Sequence, residues 1–185
     1  MEGNFKLKAD LHPELFIFGT VLSGDHFDCR FDGLSCDLQF TTGENWELLS
    51  DAGLIQTQIS LPSSDNHEYV WSQPFELFYS PTSLEGWPVG LLQVWRSMGG
   101  GRMNSVSYGR FVVPFEEGPH IVQCQTWSPV GDCRSSDLVY YFGCYPQLKN
   151  VKILSINDEK LAKLNCSGSG NVSIELTVVK RNFSR

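Results

Sequence analysis

Apolar and polar residues alternate with a period of two along several short runs of this chain. Leu34, Cys36, Leu38 and Phe40 alternate with Ser35, Asp37 and Gln39, and Val172, Ile174, Leu176 and Val178 alternate with Ser173, Glu175 and Thr177. That period is the mark of a strand with one face buried. Ile55, Thr57, Ile59 and Leu61 share one face of a further predicted strand, and Phe75, Leu77 and Tyr79 share a face of another, with Trp71 leading in and Pro74 marking its start. Leu15 to Leu22, Ile121 to Trp127 and Val151 to Ile156 add three more strand expectations from their β-branched and aromatic content. The central block reads differently. Gly86-Trp87-Pro88 is a turn, because Pro88 fixes its φ and lacks a donor, so a strand can begin only at Val89. From there Leu91, Leu92, Val94 and Trp95 leave almost no polar face, which predicts a central strand covered on both sides. A loop from Ser97 to Asn104 holds Gly99 to Gly101, and Val106, Tyr108, Phe111, Val112 and Val113 form the return strand, which stops at Pro114.

Only Ser135 to Phe142 suggests a helix, a short one, from the spacing of Leu138, Tyr141 and Phe142 behind a capping Ser135 or Ser136. Cys166 to Gly170 reads as a small, flexible loop before the last strand. About eight to ten short strands without a long helix define an all-β fold, an antiparallel β-sandwich with one short helix. Residues 1–13 lack a period and are expected to form a flexible arm, followed by one domain over 14–180 and a tail at 181–185. The strands at Leu15 to Leu22 and Val172 to Val179 are expected at the sheet margins.

Fourteen Lys and Arg against 21 Asp and Glu give a net charge of -7, which argues against nucleic acid and against an anionic membrane as the main partner. Leu15 to Leu22 is too short and lacks the basic flank of a signal peptide or a membrane span. A cytoplasmic location follows, and there the six cysteines are expected as free thiols and the sequons at Asn165, Asn171 and Asn182 as unused.

Catalytic signatures are missing from the sequence. No Gly-x-Ser-x-Gly, Cys-x-x-Cys or His-Glu-x-x-His occurs, and Gly99-Gly100-Gly101 lacks the Lys and Ser/Thr of a phosphate-cradling loop. His120 and Cys124 stand four residues apart, about 13 Å along a strand, too far for a dyad. His120 is instead expected to cap a turn and Cys124 to lie in the core. Trp87 and Trp95 are also expected in the core, with Trp46 open between core and interface. A non-enzyme without cofactor or metal is the reading.

The block Gly86-Trp87-Pro88, Leu92-Gln93-Val94-Trp95, Gly101-Arg102, Tyr108-Gly109, Val113-Pro114, Gly118 with His120, and Trp127-Ser128-Pro129 resembles the B9-domain family of ciliary transition-zone proteins, over roughly Leu15 to Val179. Ser107 stands where the family usually has the first Gly of Gly-Tyr-Gly, and Glu117-Gly118-Pro119-His120 replaces its usual Pro-Gly-x-His. The resemblance implies a C2-like sandwich acting as a structural module in the transition zone or basal body. It implies a hetero-complex with other B9-domain proteins and with Meckel-syndrome and tectonic-type proteins, supporting cilium assembly and the gate for ciliary membrane proteins. C2-type sandwiches also suggest an alternative, calcium- or phospholipid-dependent docking with weak membrane association, for which Asp25, Asp28 and Asp32 are the candidate ligands. The chain has no Asp-x-Asp pair, and Glu116, Glu117 and Asp132 supply only a thin second acidic loop.

Overall fold

Each alternating strand has an apolar face that must be removed from water, and here one sheet does this by folding over on itself. The computed structural model describes residues 12–28, 32–50, 54–98, 100–130, 146–155 and 164–183. Nine strands occur among them: β1 (Glu14–Asp25), β2 (Leu34–Thr41), β3 (Trp46–Leu48), β4 (Ile55–Gln56), β5 (Tyr69–Pro81), β6 (Val89–Ser97), β7 (Met103–Val112), β8 (Gly118–Pro129) and β9 (Cys166–Arg181). Their order across the sheet is β3-β5-β1-β9-β8-β7-β6-β2-β4, and each strand pair is antiparallel. Strands β7 and β8 are paired only through Tyr108 with Trp127 and Gly109 with Thr126. Beyond that seam the ladder opens, and the sheet divides into a β5-β1-β9-β8 layer and a β7-β6-β2 layer, with the short β3 and β4 at the margins.

The layers meet face to face. Trp71 of β5 donates its indole N–H to the Leu34 carbonyl of β2 at 3.0 Å, and the rings of Phe75 and Phe40 lie 5.5 Å apart between the same strands. Ile17, Leu38, Leu92, Val94, Ile174 and Leu176 fill the space between them with no exposed surface. Each such side chain contributes about 1.5–3 kcal/mol of burial. Val89–Ser97 is a central strand covered on both sides, as its unbroken apolar run predicts: Leu92 and Val94 face the core, while Leu91 lies under a 3-10 helix, Val151–Ser155.

Several expectations are corrected. Strands β1 and β9 are not margins: β1 lies between β5 and β9, and β9 between β1 and β8. Strand β9 begins at Cys166, because Cys166, Ser167 and Gly168 pair with Pro129, Ser128 and Trp127 rather than forming a loop. Val151 to Ser155 is 3-10 helix instead of strand, its side chains packing on Leu91 and Tyr108 where no ladder partner is available. The strand expected from Ile55 to Leu61 shrinks to Ile55–Gln56 plus one bridge at Ser60, leaving Ile59 and Leu61 exposed. Pro74 does not start β5 but sits within it. Phe78, four residues on, points both backbone groups towards Leu49 and Ser50, so Pro74 aims its missing donor at the same flank and no bond to β1 is lost. The return strand β7 begins earlier than expected, at Met103. The helix expected over 135–142 and most of the arm at 1–13 fall outside the described residues. In the tail, Phe183 packs partly buried against the core.

The interior position of β9 makes its inward residues critical. Leu176→Ala should cost about 2–5 kcal/mol, whereas Phe18→Ala, on the outer side of β1, should cost well under half of that; chemical denaturation of the two variants measures the difference.

Candidate interaction surfaces

The Gly86-Trp87-Pro88 turn works as a clasp. Gly86 has φ +76°, and a Cβ there would collide with the backbone of Gly43, whose N–H donates to the Gly86 carbonyl at 2.8 Å. Only glycine meets both conditions without strain. Trp87 donates its indole N–H to the Val113 carbonyl at 2.8 Å, and Val113 N–H returns a bond to the buried Pro88 at 3.1 Å. Trp46, buried, stands edge-on to Trp87 at 5.3 Å and donates to the Glu85 carbonyl at 2.8 Å. Trp87 packs against the core as expected but is only half-buried, its outward side being covered by Phe115 at 4.8 Å and by the Lys180 ammonium. A cleft of about 880 Å³ opens beside them, lined by Leu84, Phe115, Glu117, Lys180 and Phe183 among others.

The remaining signature positions also meet backbone or packing demands. Val94 is fully buried. Gly109 faces β8 at the seam, where a Cβ would come within 2.9 Å of Cys124 Sγ. Tyr108 is buried beside Trp127, with ring centroids 5.6 Å apart, and its hydroxyl accepts the Leu148 N–H at 3.0 Å. Trp127 and Pro129 pair β8 with Gly168 and Cys166. Pro114 is half-buried just after Val113. Gly101 (φ +78°) and the exposed Arg102 form the β6–β7 tip, where the Arg102 carbonyl accepts from Met98 at 2.9 Å. Gly118 (φ +113°) turns the chain into β8. His120 bonds through Nε2 to the Glu116 carbonyl at 2.9 Å, the turn cap expected of it. Cys124 is buried, and burial pushes its thiol up to about 11, which keeps it protonated and unreactive at neutral pH.

Trp95 is half-buried rather than core. Its indole N–H donates to Asp37 Oδ2 at 2.7 Å, and Gln56 Nε2 donates to Asp37 Oδ1 at 3.0 Å. Burial raises the Asp37 carboxyl above its ordinary range, while the Trp95 and Gln56 hydrogen bonds act in the opposite sense.

The three candidate calcium ligands do not converge. Asp25 Oδ1 lies 2.7 Å from His26 Nδ1 and accepts from Asn171 at 3.1 Å. Asp32 forms an ion pair with Arg96. Asp28 is exposed at the rim of a cleft of about 390 Å³ that also contains Arg96, Ser128 and Ser167. Among the described residues no group of three or more His, Cys, Asp or Glu is arranged to hold a metal ion.

The two outer faces of the sandwich differ. Leu148, Val151, Ile153 and Leu154 cover Leu91 and Tyr108 on one. On the other, Phe78 pairs with Phe16 across β5 and β1, Phe16 pairs with Val179 across β1 and β9, and Leu49 bonds to Phe78 at the margin. These four residues make an apolar row across the sheet, with Phe18 next to it.

The model of a family described as "Ciliary basal body-associated, B9 protein" matches residues 15–179, which contain nearly all of both layers. The chain belongs to the B9 family. It is 34% identical over 172 residues to B9 domain-containing protein 2 of Danio rerio, covering 93% of this chain and 96% of the relative. With the protein of that name from Homo sapiens it shares 31% over the same coverage. B9 domain-containing protein 1 of Drosophila melanogaster is 25% identical over 152 residues, 77% of this chain and 63% of the relative. Among solved structures, a C2 domain of plant extended synaptotagmin 1 superposes on this B9 domain with a TM-score of 0.46 and 10% identity, over 92% of this chain and 96% of that one. The family description names a place, the ciliary basal body, and among the described residues no helix is long and apolar enough to cross a membrane.

Sequence reasoning on this B9 domain missed Asp37 and the Phe16, Phe18 and Phe78 cluster. Asp37 occupies a polar slot of an alternating strand, which reads as solvent-facing; the partners that bury it come from β6 and β4. Phe16 and Phe18 carried a signal, two aromatics in the polar-phase positions of β1.

Because folding raises the Asp37 pKa, its protonation favours the folded state: that contribution is complete below the ordinary carboxylate range and is lost as pH rises through the raised value. Relative to Asp37→Asn, wild type should therefore gain melting temperature as pH falls from about 7 towards about 4. A constant difference across that range would show that the carboxylate is not held up by burial.

Proposed function

We propose that this B9 domain is a non-catalytic structural and interaction module of the ciliary transition-zone complex. It acts with other B9-domain proteins and with Meckel-syndrome and tectonic-type proteins, supporting cilium assembly and the gate for ciliary membrane proteins from the cytoplasmic side, at the transition zone and basal body. The observation that carries this reading is the family match over 15–179, which spans β1 to β9 and so takes in the seam, the clasp and both outer faces. The signature residues support it by their roles. They hold turns, cover the core and bond to backbone, which is the work of a scaffold. Co-expression with B9 domain-containing protein 1 from the same organism, followed by size-exclusion chromatography at micromolar concentration, should give one co-eluting species. Separate elution would overturn direct B9-to-B9 assembly.

Calcium should leave the protein unchanged, because Asp25 and Asp32 are already engaged by Asn171 and Arg96. Calorimetry that found saturable micromolar binding, abolished by Asp25→Asn with Asp28→Asn, would replace the scaffold reading with calcium-dependent membrane docking.

A further inference from the structure

The β5-β1-β9-β8 outer face carries a group of uncovered apolar residues on neighbouring strands. Phe18 is 41% exposed, Leu49 57%, Val179 42% and Ile121 73%. Phe16, Phe18 and Phe78 form one aromatic cluster, Phe78 standing edge-on to Phe16 at 5.1 Å and to Phe18 at 5.9 Å. A shallow groove of about 660 Å³ runs past Phe18, Thr20 and Pro74 between the carboxylates of Glu76 and Glu175. Phe18 is exposed and Phe16 and Phe78 are half-buried beneath it, and an aromatic cluster open to solvent on one side marks a contact site, because aromatic rings give large apolar area at low entropic cost.

Charge selects what can cover the patch. The register places Glu76 opposite Phe18, Glu175 opposite Thr20 and Ile121, and Glu47 opposite Ser80, all on the outer side. Glu14 lies at the end of the row, 3.4 Å from Arg181. Arg181 is the one cation among the described outward residues of these strands. A second copy docked face to face would set carboxylates against carboxylates, and an anionic lipid surface would meet the same repulsion. At the centre of the face a partner meets side chains and not free backbone, since both flanks of β1 and of β9 are consumed by ladder bonds.

We propose that this outer face is the docking surface for a partner protein whose contact region has an apolar centre and a rim of Lys and Arg, seated over Phe16, Phe18 and Phe78 with its cations against Glu76 and Glu175. The assignment deepens the reading of the chain as an assembly module and rests on it. The test places p-benzoylphenylalanine at position 18 of the full chain expressed in ciliated cells, with the same residue at position 112, exposed on the other layer, as control. Ultraviolet crosslinking at position 18 should yield an intermolecular adduct to a peptide flanked by Lys or Arg. Combining Glu76→Lys with Glu175→Lys should lower its yield about tenfold without lowering the melting temperature. Adducts to residues 1–11 of the same chain, to a second copy or to lipid, or a yield no greater than at position 112, would overturn the proposal. The outcome is separable from the co-elution experiment: an adduct to a basic protein outside the B9 family keeps the surface and removes the B9 partner, while co-elution that survives the charge reversal keeps the partner and removes the surface.

Discussion

Everything in this fold depends on how β7 meets β8. Two residue pairs join them, and one of the four positions is Gly109, where a side chain would strike Cys124 Sγ and Thr126. A wider ladder would carry the sheet onwards as an open ribbon with two wet apolar faces. Pairing that stops after two residues lets the sheet turn over, so that β5 confronts β2 and one dry interior forms. The long-range contacts follow from that turn: Trp71 reaches the Leu34 carbonyl and Phe75 meets Phe40 only because the layers are superposed. The price is a thin connection, and Tyr108 reinforces it by packing on Trp127 while its hydroxyl anchors the segment that leads into the 3-10 helix.

The indole N–H groups close the structure at places where strands cannot. Four of the five tryptophans make described bonds between distant parts of the chain: Trp46 to Glu85, Trp71 to Leu34, Trp87 to Val113 and Trp95 to Asp37. A buried ring brings large apolar area, and its single donor needs a partner, so each ring also fixes a loop in place. This explains why Trp87 and Trp95 are half-buried without being interface residues by default. The Trp87 ring is covered by Phe115 and Lys180, and the Trp95 indole is fixed by Asp37 of the neighbouring strand β2.

Sequence legibility followed the range of the interaction involved. Period-two alternation revealed β2 and the core of β9, and Pro88 fixed where β6 begins, because these are local properties of pleat and φ. Which strand neighbours which is not local. Strands β1 and β9, close to the ends of the described chain, were expected at the margins, yet they are paired on both flanks with partners distant in sequence, among them β5 and β8. Short segments failed for a related reason. Val151 to Ser155 has the apolar content of a strand, but it packs by side chains on Leu91 and becomes a 3-10 turn. Cys166 to Gly168 has loop composition, but the far end of β8 supplies a ladder for it. The outer-face aromatic cluster was not legible, because exposure depends on what the rest of the chain leaves unoccupied.

The consumption of backbone donors also constrains how such a module can assemble. A strand whose two flanks are bonded can offer a partner only side chains, so contact over β1 and β9, at the centre of this layer, is set by the shape and charge of alternate residues. Apolar rows of this kind supply affinity with little orientation, since rings tolerate sliding. Carboxylates at fixed register beside them add the orientation: Glu76 and Glu175 flank the groove from β5 and β9, on either side of β1. A partner displaced by one strand spacing would leave a desolvated carboxylate without its cation, a cost of several kcal/mol. Register is thereby imposed by the penalty on misplacement more than by the strength of any one ion pair.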